Sequence, residues 1–210
     1  MNAMLREYIE STNPSSEALD QAIAEAKEVG LNTPDAMTGQ LLQTLAATTA
    51  AQGLVAITPA ADVAGLYMLA GASDKSVLTC IDPEPEHQQR AKAIFRSAGY
   101  PGQRVRFLPS RPLEVLGRLA KNSYQVIYAE VSPIDLSALV DAALPLLSEG
   151  GVLLLADALL DGTISDSSRI DRDTLAAREA DEHILALEGV VVARLPLGAG
   201  LTMITKCHKS

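Results

Sequence analysis

Val152-Leu153-Leu154-Leu155-Ala156 is apolar at every position, and Asp157 follows at once. A strand with one wet face alternates apolar and polar residues, whereas a strand covered on both faces does not need to. This run therefore reads as a central strand of a parallel sheet. Working outward, short β-rich runs recur at Leu54–Thr58, Val77–Ile81, Val105–Leu108 and Gln125–Ala129. Helical patterns separate them at Ala61–Ala70, Glu84–Ala98, Pro112–Ala120 and Ile134–Leu147. Strands alternating with helices imply a parallel sheet with helices on both faces.

The end of the chain follows a different rule. After a polar loop from Asp157 to Ser168 and a charged helix near Arg169–Leu187 come two runs, Val190–Leu195 and Leu201–Lys206. Only Pro196-Leu197-Gly198-Ala199-Gly200 joins them, too short for a parallel crossover but enough for a hairpin. The expected fold class is α/β, a Rossmann-like, seven-stranded, mostly parallel sheet with one antiparallel strand. No repeat, low-complexity tract or linker divides the chain, so residues 1–210 are expected to form one domain. Residues 1–33 form a helical N-terminal extension to it. Within Leu5–Gly30, one or two helices surround the turn Thr12-Asn13-Pro14-Ser15-Ser16, with Ser15 or Ser16 as cap and Gly30 as stop. The next helix, from Pro34 to Ala51, takes Thr33 as N-cap and Pro34 as its first residue.

Composition excludes several functions. Seventeen basic residues against 26 acids leave a formal charge of −9, with no basic excess to displace counterions from nucleic acid or an anionic membrane. Trp is absent and aromatics make up 3%, which disfavours base-stacking platforms. No apolar run approaches the roughly 18 residues of a membrane span. Met1 to Glu10 is charged and lacks a signal-peptide core. The two cysteines, Cys80 and Cys207, sit in strand-like runs and read as buried free thiols. The expected setting is the cytoplasm.

In an open α/β sheet, ligands bind beyond the carboxyl ends of the strands, where strand order reverses. Leu78-Thr79-Cys80-Ile81-Asp82 ends in an acid 24 positions after Thr58, the range in which an acid meets ribose hydroxyls. A carboxylate suits vicinal hydroxyls because it only accepts hydrogen bonds. The plainer alternative is that Asp82 caps the following helix. The first loop, Thr58-Pro59-Ala60-Ala61-Asp62, lacks both G-x-G-x-x-G and a Walker lysine, and Asp62 would repel a bound anion. Glu130, Ser132 and Asp157 stand at strand ends, where two carboxylates can share a divalent ion or simply bond local backbone. His87, His183 and His208 are scattered and read as solvated. No G-x-S-x-G, H-E-x-x-H or C-x-x-C occurs.

The order of elements resembles the class I S-adenosylmethionine-dependent O-methyltransferases of the caffeoyl-CoA and catechol type. The resemblance covers nearly the whole chain. It is carried by Thr38-Gly39-Gln40-Leu41-Leu42, Ile81-Asp82-Pro83-Glu84, Leu113-Glu114-Val115-Leu116 and Ala142-Ala143-Leu144-Pro145-Leu146-Leu147. Ala156-Asp157-Ala158 through Gly162 is similar to the family's A-D-N-x-x-x-x-G. Leu195-Pro196-Leu197-Gly198-Ala199-Gly200-Leu201 is similar to its L-P-x-G-D-G-L.

Fold, cofactor and a homodimer built on the N-terminal helices follow from the resemblance, as does transfer of a methyl group to a small-molecule hydroxyl. It makes Asp82 the ribose contact and Ser110-Arg111-Pro112 the adenine-side wall. Thr58, Ala60 and Glu130 become cofactor neighbours. The family's first motif, about E-(I/V)-G-T-x-x-G-x-S, falls on Ala56, Thr58, Ala60, Asp62 and Ala64, so its acid and glycines are gone. Its lysine after the fourth strand falls on Pro133, and its metal-binding D-N pair becomes Asp157-Ala158. The expectation is weak or lost cofactor binding and no tightly held divalent metal, with Glu130 and Asp157 as vestigial ligands. If the two acids lie close together, repulsion should raise one pKa. The alternative function is a methyltransferase fold that has given up catalysis for binding or dimerisation.

Overall fold

The computed structural model describes residues 3–208; the outermost residues of the expected 1–210 span, 1–2 and 209–210, lie outside the described residues. Three helices precede the sheet: α1 (Ala3–Thr12), α2 (Glu17–Glu28) and α3 (Ala36–Thr48). Ser16 caps α2 by accepting from Leu19 N–H at 3.2 Å, and Gly30 follows the helix with φ +71°. Asp35, not Thr33, caps α3, accepting from Thr38 N–H at 2.8 Å. Pro34 thus lies ahead of the helix, where its fixed φ leads into the extended backbone of Asp35.

Seven strands follow: β1 (Gly53–Ile57), β2 (Val77–Ile81), β3 (Val105–Leu108), β4 (Tyr124–Ala129), β5 (Leu147–Leu155), β6 (Val190–Leu195) and β7 (Leu201–Lys206). The sheet order is β3-β2-β1-β4-β5-β7-β6, with β7 antiparallel to both neighbours. The expected α/β architecture is the one observed. Strand β5 starts earlier than its apolar run: Leu147 pairs with Tyr124, and an irregularity absorbs Ser148–Gly151 before regular pairing resumes at Val152.

Between the strands run α4 (Ala61–Gly71), α5 (Pro85–Ser97), α6 (Pro112–Val115), α7 (Leu136–Ala143) and α8 (Arg172–Leu185). The helix expected over Pro112–Ala120 is only α6 and a 3-10 turn, Leu116–Arg118; Gly117 is a poor helix former. The one expected over Ile134–Leu147 breaks at Pro145, which lies in a closing 3-10 turn.

Helices α2 to α5 cover one face of the sheet and α6 to α8 the other. Helix α4 is buried continuously from Ala61 to Leu69, because the sheet lies beneath it and α2, α3 and α5 surround it. A Cβ on Gly71 would stand 1.9 Å from the Gln43 carbonyl oxygen, so α3 packs backbone to backbone against the end of α4. Helix α1 has no buried residue. Cys80 is buried, but Cys207 lies just past β7 and is only half-buried; both are free. Among the described residues no helix is long and apolar enough to cross a membrane.

Candidate functional site

Parallel pairing aligns the strand ends. Ile57 is in register with Ile81 and Ala129, and Ala129 with Leu155. Thr58, Asp82, Glu130 and Ala156 therefore follow side by side along the carboxyl edge. Backbone bonds extend this line past the strands: Glu130 N–H donates to Ile57 O at 2.8 Å, and Ala156 N–H to Ala129 O at 2.9 Å. Strand order reverses between β1 and β4. Across that switch point the Thr58 hydroxyl donates to Glu130 Oε2 at 2.8 Å, while Ala60 N–H donates to Thr58 Oγ1 at 3.2 Å. Three of the expected site residues, Thr58, Ala60 and Glu130, thus form one chain of contacts.

The first loop is closed from beneath. Asp62 is completely buried, and Arg90 of α5 grips it with Nε to Oδ2 at 2.8 Å and Nη2 to Oδ1 at 3.2 Å. The same Nη2 donates to Pro59 O at 3.0 Å. This corrects the expectation that Asp62 repels a bound anion: its charge is spent on a two-pronged bond inside the fold. Ala56 is fully buried between Cys80 and Tyr128. No sequence pattern flagged Arg90, because a lone arginine 28 residues from its partner has no characteristic spacing.

Asp82 is 7% exposed and its Oδ2 accepts twice, from Glu84 N–H at 3.1 Å and from His87 Nδ1 at 2.9 Å. A carboxylate cannot donate, so the proton is on Nδ1. His87 is therefore engaged rather than solvated. His183 is engaged as well, with Nε2 2.9 Å from Asp141 Oδ1. Asp82 is not the cap of α5, a position held by Glu84. Among the described residues its Oδ1 has no hydrogen-bond partner. The Ser110-Arg111-Pro112 corner lies beside it: Leu108 O accepts from both Asp82 N–H (3.4 Å) and Ser110 N–H (3.0 Å). Arg111 and Pro112 then open α6.

On the β5 side, Asp157 adopts φ +53° and its Oδ1 accepts from Ala199 N–H at 2.8 Å. A Cβ on Gly198 would come within 2.8 Å of that oxygen. Asp35 joins the same knot, receiving Arg6 Nη2 at 2.7 Å and Gly198 N–H at 3.3 Å besides capping α3. Burial raises the Asp35 carboxyl, but bonds from Thr38, Arg6 and Gly198 outweigh it and hold the pKa below its ordinary value. An Asp at an N-cap is a readable sequence feature, whereas its reach to residue 198 is not.

Asn32, Asp35, Tyr128, Glu130, Asp157 and Leu197 are among the residues around a cavity of about 30 Å³. Burial raises the Glu130 carboxyl, opposed by bonds from Thr58 and Asn32, and the charge of Asp157 adds to the rise. Repulsion between the two acids is thus real but secondary. As a metal site the arrangement fails. Thr58 and Asn32 bond to Glu130, Ala199 holds one oxygen of Asp157, and Ala158 is a buried methyl. Among the described residues no cluster of three or more His, Cys, Asp or Glu could hold an ion.

The O-methyltransferase family model matches residues 11–207. The chain belongs to the O-methyltransferase family. A relative from Mycolicibacterium smegmatis named as an O-methyltransferase is 37% identical over 188 residues, covering 89% of this chain and 90% of its own. A solved Corynebacterium glutamicum protein is 60% identical with TM-score 0.96, covering 100% of this chain and 99% of its own. The Streptomyces achromogenes O-methyltransferase TomG, solved with S-adenosylmethionine, is 20% identical with TM-score 0.87 over 98% of this chain and 96% of its own, a likeness of fold. Of the positions that the resemblance lays over the first motif, Ala56 lies in β1, while Ala60 and Asp62 lie in the turn that Arg90 closes.

Proposed function

We propose that this family member transfers a methyl group from S-adenosylmethionine to a hydroxyl of a small-molecule acceptor, with Glu130 taking over the acidic role missing at Ala56. The observation that carries this reading is the Thr58–Glu130 bond across the switch point, which puts a half-buried carboxylate over the end of β1. A carboxylate whose pKa is raised by burial favours a cationic neighbour, and an amino-acid ammonium is one. Asp82 Oδ1 is free to accept from a ribose hydroxyl, the Ser110-Arg111-Pro112 corner flanks the base, and Thr58 and Ala60 line the backbone approach.

When bound, the sulfonium supplies the electrophilic methyl. The chain's own contribution is to hold acceptor and donor in line, a large part of such a rate. Asp157 is held by Ala199 N–H and Ala158 brings no side-chain oxygen, so no step is routed through a divalent ion. The second reading, a non-catalytic binding module, is favoured by cavity size. The spaces beside the end of β1 are about 30 and 10 Å³, against roughly 300–1,000 Å³ for ligand pockets.

Calorimetric titration with S-adenosylmethionine and S-adenosylhomocysteine decides between them. The expected result is weak but measurable binding that falls about tenfold or more in Glu130→Ala, as loss of a charge-assisted bond of roughly 1.5–3 kcal/mol requires. Absence of heat at millimolar ligand, or an unchanged affinity in Glu130→Ala, removes this assignment.

The same proposal includes one domain over residues 1–210, a cytoplasmic setting and a homodimer. Two free cysteines agree with a reducing compartment. Helix α1 turns Leu5 and Tyr8 outward, 52% and 66% exposed, as a face that a second copy could cover. Sedimentation should show a dimer that Tyr8→Glu shifts toward monomer; a wild-type monomer at all concentrations refutes it.

A further inference from the structure

Residues 88–113 hold six basic side chains and no acid, leaving eleven basic residues for 26 acids elsewhere. The structure sorts those six. Arg90 is spent on Asp62, and Arg104 on the Ser73 and Ser76 carbonyls with Asp74 at 3.7 Å. Val105 and Phe107 pack with the α2–α5 core, so Arg106 between them leans to the opposite face. Arg111 belongs to the corner already described. Lys92 and Arg96 remain, one turn apart on α5, exposed, and with no carboxylate partner among the described residues.

Both line a cleft of about 380 Å³ that also takes in Phe95, Tyr100 and Phe107, and no acid borders it. Those three rings are a large share of the chain's two Phe and five Tyr. They form a row, with Phe95 6.4 Å from Tyr100 edge-on and 6.3 Å from Phe107. Lys92 Nζ lies 5.0 Å from the Phe107 centroid, and Arg104 Cζ lies 5.3 Å from that of Tyr100. On its other side Phe107 borders the small cavity beside Asp82 and His87. The cleft is therefore backed by the wall of the nucleoside-side notch but opens separately from it.

We propose that this cleft binds a planar aromatic ring carrying a phosphate. Its ring lies against Tyr100 and Phe107, and its phosphate is held between Lys92 and Arg96. Rings recognise a flat apolar face by offset or edge contact, and an ammonium with a guanidinium one helical turn apart supplies a diffuse and a forked donor set for one phosphate. In a chain of charge −9, a cleft free of acids is where an anion is repelled least.

Adenosine 5′-monophosphate, phenyl phosphate and inorganic phosphate, titrated at low ionic strength, test this. Binding of both aromatic phosphates, or of the nucleotide alone, supports the site, and the pattern tells a general aryl phosphate from a nucleotide. The K92E/R96E variant should bind about tenfold more weakly or worse, since two attractions become repulsions, with its melting temperature unchanged because both residues are exposed. Phe107→Leu, which keeps an apolar side chain there, should also weaken the aromatic ligands while leaving inorganic phosphate unaffected. Measurable binding of inorganic phosphate as tight as that of phenyl phosphate overturns the proposal. So does loss of binding in Asp82→Ala or under saturating S-adenosylhomocysteine, which would assign the heat to the nucleoside side. Absence of heat with every probe overturns it too.

Discussion

The loops after β1 and β2 leave the same sheet edge side by side, yet they use their polar groups in opposite ways. After β1 the polar groups satisfy one another: Asp62 with Arg90, Arg90 with Pro59 O, Thr58 with Glu130. After β2, Asp82 is held by Glu84 and His87 through a single oxygen, and the other is left open. A loop whose donors and acceptors are closed internally is stiff and offers a ligand little. A loop braced through half of one carboxylate is stiff and still offers an acceptor. Family membership therefore guarantees neither half of a cofactor site. In the proposed reading the nucleoside half rests on Asp82 alone, and the amino-acid half on Glu130 at the end of β4.

The largest test breaks the closed loop. Arg90→Met strands the buried Asp62 charge and should cost about 3–5 kcal/mol in denaturant unfolding. Adding Asp62→Asn should recover much of that loss, because the amide carries no charge to bury. An Arg90→Met variant as stable as wild type would mean that Asp62 reaches solvent and the two loops are alike.

The open loop should behave otherwise. Asp82→Ala should weaken S-adenosylhomocysteine by roughly 1.5–3 kcal/mol in calorimetry, while its stability falls by about 1 kcal/mol from the lost bonds to Glu84 and His87, well short of Arg90→Met. A stability loss with unchanged affinity would make Asp82 a brace only, erasing the contrast with Asp62.

A third loop, the β6–β7 hairpin, extends the comparison, because it too is closed by internal bonds. Gly198→Ala puts a Cβ at φ +56° and 2.8 Å from Asp157 Oδ1, and should cost about 1–2 kcal/mol. Chemical denaturation of this variant in wild-type and Asp157→Ala backgrounds separates the two causes. A smaller loss in the second background identifies the contact, and an equal loss the backbone.

The smallest effects concern pH. Asp35 has a folded pKa lowered from 3.8, so its stabilisation is present above that value and fades as pH falls through the lowered one. Asp35→Asn, which keeps a cap of similar quality but loses the ion pair with Arg6, should therefore flatten the acid limb of the stability curve and cost about 0.5–1 kcal/mol at neutral pH. Glu130 has the opposite sign. Its folded pKa is raised from 4.5, so its contribution is present below 4.5 and lost as pH rises through the raised value. Glu130→Gln should remove that decline without losing the acceptor for Thr58. Parallel melting curves of the two variants against pH check both signs, and identical slopes would contradict the assignments.

Strand identity and the carboxyl edge were legible in the sequence because two-sided burial leaves a local mark, an unbroken apolar run followed by a polar residue. Val152 to Ala156 carries it intact, and Leu78 to Asp82 carries it with only Thr79 interrupting. The antiparallel β7 followed from five linking residues, since a parallel return needs a crossover. Helix ends were less legible. Thr33 and Asp35 are both good caps, and only packing chose Asp35, through Arg6 and Gly198. The inner workings of the site were not legible at all. Asp62 meets a partner 28 residues away, Thr58 one 72 away and Asp35 one 163 away. Such pairs have no period and no motif, because the chain between them sets no fixed distance. Sequence alone determined which acids reach the sheet edge, since pattern and register are local properties. Which of those acids are spent and which stay open was decided only when helices and hairpin packed over the edge, where burial obliges each charge to find a partner from whatever the fold brings near.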